Sequence, residues 1–360
     1  MRADRGGREA AGKLIHVDFF EKTADVRGSF FIERGGSTVT KMTQAASNPY
    51  PNSDTNKRYY TYDYYLRRTF GGKCAKLPID AGMTCPNIDG RCATGGCIYC
   101  SDRGSGDFAQ DSVLSVREQI ARQKAAYAHK WDTSRCIAYF QAHTNTYAPV
   151  SRLRELYEEA LAQEGIVGLN IATRADCLPD DVVAYLASLA SCTTLTVELG
   201  LQSSNDATAR LINRGHTYAQ FLEGYEKLRR ASERIGICVH VIFGLPGESD
   251  ADMMQTVRDV AALRPDQVKI HLLHVLRGTP LARMYEKGLY TPLSRERYVG
   301  LVSDALELLP PDTVIGRLTG DGKADDLLAP DWSRKKTAVI NDIDKLLYAR
   351  GSWQGKFFAE

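Results

Sequence analysis

Residues 75–100 read Ala75-Lys-Leu-Pro-Ile-Asp-Ala-Gly-Met-Thr-Cys85-Pro-Asn-Ile-Asp-Gly-Arg-Cys92-Ala-Thr-Gly-Gly-Cys97-Ile-Tyr-Cys100. The apolar run at 75–79 predicts a β-strand, and it leads directly into a loop that holds four cysteines. Glycines at 90, 95 and 96 let such a loop fold tightly, because glycine adopts positive φ without steric conflict. The fold is inferred outward from this strand and its cysteine loop.

Three of the cysteines have the spacing Cys85-x11-Cys97-x2-Cys100. A [4Fe–4S] cube normally takes four thiolates, so a site that offers three leaves one iron open to a ligand from outside the chain. Cys92 leaves a second interpretation open, since four thiolates from one loop would also complete a structural zinc site. Such a zinc site usually stabilises a small module, whereas this loop opens a long alternating domain. The spacing therefore favours an iron-sulfur site.

Beyond the loop, short apolar runs alternate with helical patterns. Six successive βα units of this kind require parallel strands with right-handed crossovers. The pattern is typical of the α/β class and leaves an open doubly wound sheet and a barrel as alternatives. In both folds, active-site residues lie at the carboxyl ends of the strands, which is where the cysteine loop is expected. Strands are predicted at 75–79, 136–140, 166–171, 194–199, 238–243 and 267–273, and helices at 115–128, 151–163, 179–189, 205–211, 217–234, 250–263 and from 280 onward.

The composition suits a globular enzyme-sized chain. It has 360 residues, of which 43% are hydrophobic and 25% charged, enough to bury a substantial core. We predict a soluble, cytoplasmic protein with no membrane partner, because there is no apolar run of about 18 residues and no signal-like segment near the N-terminus. The odd number of cysteines, nine, argues against a disulfide framework. A net charge of +2 gives no general attraction to nucleic acid.

Three parts are expected along the chain. Ser, Asn, Pro and Thr dominate residues 43–56, so residues 1–56 are predicted to be a disordered extension. Residues 57–293 are predicted to form the α/β core. Residues 294–360 add helices and a strand at 313–317, in a C-terminal extension that packs on the core.

Four segments together resemble the radical SAM superfamily: the cysteine loop, residues 101–108, residues 139–147 and Phe243-Gly-Leu-Pro-Gly-Glu248. From about residue 57 onward the chain is similar to the YhcC/YtqA-type bacterial branch. That branch is related to the catalytic subunit of the elongator complex, which modifies wobble uridines of tRNA. The resemblance implies a partial (β/α)6 radical SAM barrel with a C-terminal α/β extension. A [4Fe–4S] cluster would lie at the top of the barrel and S-adenosylmethionine (SAM) across the strand ends.

The resemblance also implies roles for individual residues. Cys85, Cys97 and Cys100 would bind three irons, and the fourth cysteine of the loop lies outside the ligand pattern. Many members carry a Gly-Gly-Glu turn after the second strand that holds the methionine amine of SAM. Here that place is taken by Gln141-Ala-His-Thr144, so Gln141, Thr144 and backbone carbonyls are the candidates for this contact.

Later strand ends supply the other implied SAM contacts. Glu198 and Gln202 leave the fourth strand where the ribose and the methionine carboxylate usually lie, with a structural ion pair as the alternative for Glu198. Gly244 and Gly247 allow the backbone to approach the adenine ring. His271 alternates with apolar residues of the sixth strand, so it is a candidate to face the cofactor or to be a hydrogen-bonded core residue.

The loop after the third strand carries two candidate catalytic residues. The guanidinium of Arg174 could hold a carboxylate or phosphate bidentately. Cys177 is a candidate to donate a hydrogen atom or to contact substrate, and a packing role before the next helix is the alternative.

The activity that the resemblance implies is one-electron reduction of SAM at the cluster, which yields a 5'-deoxyadenosyl radical that abstracts hydrogen from a substrate. The electron donor would be a protein such as flavodoxin or ferredoxin. A wobble uridine in tRNA is the first expectation for the substrate, and a small molecule or a peptide is the alternative. Two other classes stay open, a zinc-stapled binding module and an iron-sulfur electron carrier that does not bind SAM.

Overall fold

A parallel sheet of seven strands forms the centre of the molecule, in the order β1-β2-β3-β4-β5-β6-β8. The structure, a computed structural model, describes residues 48–104, 109–320, 322 and 324–359. A short antiparallel pair, β7 with β9, lies outside this sheet. The strands are β1 (Ala75–Asp80), β2 (Cys136–Gln141), β3 (Ile166–Thr173), β4 (Thr194–Gln202), β5 (Ile235–Phe243), β6 (Gln267–Leu272), β7 (Val275–Leu276), β8 (Val314–Arg317) and β9 (Leu327–Ala329).

Helices connect successive strands and cover one face of the sheet. A capping box begins the helix predicted from residue 115: the Ser115 hydroxyl accepts from the backbone N–H of Glu118, and the Glu118 carboxylate accepts from the backbone N–H of Ser115. The helices are α1 (Tyr62–Phe70), α2 (Val116–Tyr127), α3 (Val150–Leu161), α4 (Asp180–Cys192), α5 (Asp206–Leu211), α6 (Tyr218–Ala231), α7 (Asp250–Leu263), α8 (Pro280–Glu286), α9 (Arg295–Leu308) and α10 (Lys336–Ala349), with a 3-10 helix at Asp331–Arg334.

The sheet curls into a partial barrel, which resolves the alternative that the sequence left open and confirms the predicted fold class. Lys76 on β1 places its Nζ 2.7 Å from Glu198 Oε1 on β4. In a flat sheet these strands would be three spacings apart, about 14 Å, too far for this contact. Lys269 on β6 reaches the same carboxylate from the other side. The tail strand β8 extends the sheet beyond the six predicted units.

The two faces of the sheet differ in chemistry. The face toward the helices is apolar and forms the main hydrophobic core, with Leu77, Phe140, Ile171, Val197, Val239 and Ile270 essentially inaccessible to solvent. The alternate positions face the barrel interior, which we call the lumen, and many of them are polar. Stability therefore derives mainly from the sheet–helix layer.

The N-terminal part differs from the expectation. Residues 1–47 of the predicted extension lie outside the described residues, but 48–56 pack on the C-terminal part of the chain. Tyr50 is 2% exposed and its hydroxyl donates to the Pro311 carbonyl. The polar composition of this segment concealed that buried anchor. Helix α1 was also not predicted, although Thr61 caps it and Tyr62, Tyr65, Leu66 and Phe70 have helical spacing and share one apolar cluster. In the described part of the chain, no helix is both long and apolar enough to cross a membrane.

Candidate functional site

The cysteine loop follows β1 at the carboxyl ends of the strands. The Cys85 carbonyl accepts from the backbone N–H groups of Ile88 and Asp89, at 2.8 and 3.2 Å, which closes a tight turn. Cys97 is 5% exposed, and the backbone N–H of Cys100 donates to the Cys97 carbonyl at 3.1 Å. The three cysteines are thus held by backbone turns on a single loop.

A second segment, residues 212–216, anchors this loop, and sequence reasoning missed it. Asn213 Nδ2 donates to the carbonyls of Gly96 and Thr94, at 2.7 and 3.0 Å. Gly215 has φ +76°, and a Cβ there would lie 2.2 Å from Asn87 Oδ1. The motif Asn213-Arg-Gly-His216 was the available signal, since Asn and Gly together favour positive φ.

The polar surroundings favour the thiolate form of Cys97. Asn87 Nδ2 donates to Cys97 Sγ at 3.6 Å. A hydrogen bond from the Cys100 thiol, helped by the Arg214 guanidinium and opposed by burial, lowers the pKa of Cys97. The same hydrogen bond, together with burial, raises the pKa of Cys100. Tyr99, between Cys97 and Cys100 in the sequence, packs against a cluster of apolar residues.

The fourth cysteine of the loop has different surroundings. Cys92 is exposed, and its thiol lies 3.9 Å from Asp176 Oδ2. A tetrahedral zinc site would bring its sulfur atoms within roughly 3.8 Å of one another. All four loop cysteines are among the described residues, and no three of their sulfur atoms lie within 4.8 Å of one another. The spacing of the thiols therefore disfavours the zinc alternative.

The turn after β2 lies beside the cysteine loop. The backbone N–H of Thr144 donates to the Thr84 carbonyl at 3.2 Å, one residue before Cys85. Ala142 and His143 both have positive φ, 73° and 57°, so the backbone here takes an unusual course. Gln141 is buried at the end of β2, and Thr144 Oγ1 is buried without a hydrogen-bond partner. These are features expected of a turn that binds a polar ligand.

Further buried polar atoms without partners surround the same place. They are Gln202 Oε1, Arg214 Nε, His216 Nε2 and Asn87 Oδ1. Gln202 has φ +76° at the end of β4, and its amide lies beside Arg214 across Gly200. Buried polar groups are nearly always hydrogen-bonded, so this group of unused donors and acceptors indicates a bound polar molecule. The guanidinium, amide and imidazole groups of these residues are suitable hydrogen-bond partners for the amino acid and ribose parts of SAM.

Arg174 differs from its prediction as a free anion-binding residue. Its Nε and Nη2 donate to the two carboxylate oxygens of Asp176 at 2.9 and 2.8 Å, and Nη1 donates to the Arg214 carbonyl at 2.8 Å. The side chain is 3% exposed. We therefore reassign Arg174 to positioning the 212–216 segment. The bidentate partner two residues away could not be inferred from the loop sequence.

Cys177 is buried in the same loop. Burial and the nearby Asp176 carboxylate raise the pKa of Cys177 to about 12, so the group is a neutral thiol. Its carbonyl accepts from the Thr146 hydroxyl at 2.6 Å. A neutral S–H is the form that can donate a hydrogen atom, and the predicted role in substrate chemistry stays a prediction.

Glu198 also differs from its prediction as a ribose contact. Its side chain is fully buried in the lumen, where Oε1 accepts from Lys76 and from Asn170, both at 2.7 Å. Oε2 accepts from His240 Nε2 at 2.8 Å and from Lys269. Although burial opposes it, the two ammonium groups hold the pKa of Glu198 well below its usual range. With four donors on two oxygens, Glu198 has little capacity left for SAM.

His271 on β6 faces the lumen, in line with its alternation with apolar residues. Its ring centroid lies 5.2 Å from that of His240 on the neighbouring strand. Burial lowers the pKa of His271, and its Nε2 is buried without a partner. Cofactor contact by His271 stays a prediction.

The turn after β5 contains the two predicted glycines. Gly244 and Gly247 have φ +89° and +82°, so the turn requires residues without a Cβ. The Gly244 carbonyl accepts from the Tyr290 hydroxyl at 2.8 Å. Glu248 at the end of the turn accepts from the Ser203 hydroxyl, and burial raises the pKa of Glu248 to about 7. This carboxyl joins the loops after β4 and β5.

Comparison with known proteins identifies the class. Residues 87–260 match the family model of the radical SAM superfamily, and residues 265–349 match the Radical_SAM C-terminal domain. The chain belongs to the radical SAM superfamily and is a radical SAM enzyme. The match to the C-terminal domain begins at residue 265, inside the segment 57–293 that was predicted to be the core. The two boundaries therefore do not coincide.

One relative spans nearly the whole chain: the uncharacterised protein YtqA of Bacillus subtilis is 50% identical over 87% of this chain and 96% of its own length. This likeness confirms the predicted bacterial branch. A tRNA uridine(34) acetyltransferase of Dehalococcoides mccartyi is 32% identical over 44% of this chain and 34% of its own length. Among solved structures, an archaeal Elp3 of Methanocaldococcus infernus superposes with a TM-score of 0.60 at 18% identity. That match covers 78% of this chain and 64% of the other, and it shows the shared fold.

Proposed function

We propose that Cys85, Cys97 and Cys100 hold a [4Fe–4S] cluster and that the chain binds SAM beside it. When bound, these groups supply reductive cleavage of SAM and a 5'-deoxyadenosyl radical. The single observation that carries the proposal is the group of buried, unpartnered polar atoms around the three-cysteine loop.

The residues of the chain orient SAM and exclude water. Arg214, with an unused Nε–H, is the candidate to hold the methionine carboxylate. Gln141 and Thr144 are the candidates for the methionine amine, and Gln202 for a ribose hydroxyl. Tyr99 and the apolar residues around it keep water from the thiols. The turn with Gly244 and Gly247 is the candidate for the adenine ring.

An electron donor of the flavodoxin or ferredoxin kind would dock at the outer edge of the cysteine loop. Ile88 is 42% exposed there, and Arg91 beside it offers a positive charge to an acidic partner. The backbone N–H of Ile88 donates to the Cys85 carbonyl at 2.8 Å, so a partner docked at Ile88 would lie next to a proposed cluster ligand.

For the substrate we propose a wobble uridine of tRNA. The likeness to a protein named tRNA uridine(34) acetyltransferase supports this choice over part of the chain. The Arg91 guanidinium lies 5.7 Å from the centre of the Tyr147 ring, which makes a platform of the type on which unstacked bases are held. Arg103 on the neighbouring loop is exposed and could contact phosphate.

The test is anaerobic purification followed by assays for iron, sulfide and 5'-deoxyadenosine formed from SAM with a chemical reductant. We expect about four irons per chain and 5'-deoxyadenosine that depends on the three cysteines. Loss of the gene should change the mass profile of wobble-uridine nucleosides in hydrolysed bulk tRNA. SAM cleavage with an unchanged nucleoside profile would refute the tRNA substrate and keep the enzyme class, whereas absence of SAM binding would refute the cofactor proposal.

A further inference from the structure

The lumen holds an unequal set of charges around Glu198. Lys76 and Lys269 each place an ammonium group on this one carboxylate, and His240 donates to it as a neutral imidazole, because burial lowers the pKa of His240 to about 4. The side chains of Lys76 and Lys269 are only 8% and 7% exposed. Two buried ammonium groups are thus compensated by a single carboxylate, although buried charges are normally paired one to one.

Lys76 is one of the two ammonium groups that share this carboxylate. Burial, opposed by Glu198 and reinforced by Lys269, lowers the pKa of Lys76 to about 7. Its Nζ lies 3.8 Å from the centre of the Tyr139 ring, which also has Lys269 at 4.8 Å and the Arg317 guanidinium nearby. The ring gives only a weak substitute for an anion.

Neighbouring groups are suited to a ligand. His271 Nε2 is buried without a partner, and its ring is tilted against that of His240, whose side chain is 14% exposed. Because solvent still reaches the His240 side chain in the lumen, there is space beside the charged groups. Glu198 lies four residues before Gln202 on β4, so the space is about 13 Å below the strand ends.

We propose that the lumen beside Lys76 binds a carboxylate or phosphate group of the substrate. The assignment to substrate rests on the proposed function, because the reacting carbon would lie above this group, toward the cysteine loop. A bound anion would supply the second negative charge that the two ammonium groups on Glu198 lack.

A cation is the competing occupant. Glu198, Cys238 and His240 offer ligand atoms within 4.8 Å of one another, which are donor types that a divalent metal uses. However, Lys76 and Lys269 already occupy both oxygens of Glu198 with positive charge. A metal ion would have to displace two ammonium groups from a buried carboxylate, so the charges favour an anion.

The test follows the melting temperature of the anaerobically purified, cluster-loaded protein during titration with acetate or, separately, inorganic phosphate at ionic strength held constant with chloride. We expect a saturable rise in the wild-type protein. Lys76→Gln should raise the half-saturating anion concentration roughly tenfold, since it removes a charge-assisted hydrogen bond. Glu198→Gln should lower it, because the competing carboxylate is gone.

The opposite directions of these two changes distinguish binding from general damage to the fold. Lys57→Gln is the matched control: Lys57 is a buried lysine paired with Asp344 at 2.6 Å, and its loss should leave the titration unchanged.

Saturation by acetate alone assigns a carboxylate, and saturation by phosphate alone assigns a phosphate. A linear rise equal in all variants is a general salt effect and would overturn the inference. So would stabilisation by Mn²⁺ or Zn²⁺ that Glu198→Gln abolishes. Because SAM cleavage is not measured, failure here is separate from failure of the proposed function.

Discussion

At the scale of single residues, the four cysteines of one loop have separable roles. Cys97→Ser should abolish the cluster, because it removes one of the three proposed ligands. The Cys97 sulfur is buried and accepts a hydrogen bond from Asn87. Cys92→Ser should retain it, because the Cys92 thiol is exposed beside Asp176. The visible absorption of the anaerobic proteins and their iron content measure the difference. Equal loss of iron in both variants would show that Cys92 is a ligand.

Glu248 gives the stability a pH dependence. Burial raises the folded-state pKa of Glu248 to about 7 from its ordinary value of 4.5. The folded state therefore binds the proton more tightly, so this contribution is fully present below about pH 4.5 and is lost as the pH rises through about 7. Glu248→Gln should remove that loss and flatten the curve between pH 5 and 8 relative to the wild-type protein. Urea unfolding across this range is the measurement, and parallel curves would contradict the assignment.

At the scale of elements, contact between the 212–216 segment and the cysteine loop depends on Gly215. The Cβ that Gly215→Ala adds would clash with Asn87 Oδ1. The positive φ at this position costs a further ~1–2 kcal/mol for a residue with a side chain. Gly278→Ala is the matched control, since Gly278 has φ +83° with no atom within 4 Å of an added Cβ. We expect Gly215→Ala to lose more stability and also to bind less iron. If both variants retain iron equally, the segment does not support the cluster site.

At the scale of the whole molecule, Gln354 ties distant parts of the chain together. Its side chain is fully buried: Nε2 donates to the carbonyls of Pro310 and Thr313, at 2.6 and 2.7 Å, and Oε1 accepts from the backbone N–H of Tyr60 at 2.9 Å. Gln354→Ala leaves these groups unsatisfied and should cost at least about 2 kcal/mol in the free energy of unfolding. The exposed Gln255→Ala, which loses one bond to Asp259, should cost less than about 0.5 kcal/mol. Chemical denaturation of both variants checks the contrast.

What the sequence predicted correctly was local in origin. Strand and helix periods and the spacing of thiols operate over a few residues, so the βα units and the cysteine loop followed from them. The surroundings of Glu198 could not be inferred, because its partners Lys76 and Lys269 come from strands 122 and 71 residues away. Arg214 was missed for the same reason: its neighbours Cys97 and Gly200 are brought to it only by the fold.

The separation of the two sheet faces has a consequence for how such proteins diversify. Exchanging an inward side chain such as Asn170 or His271 leaves the apolar sheet–helix layer untouched, so its effect on folding is confined to the lumen. Descendants of one ancestral barrel can therefore acquire new reaction partners while retaining the cysteine loop. Variation among relatives should accumulate at inward positions of β3 to β6 faster than at the thiols or the outward positions beside them.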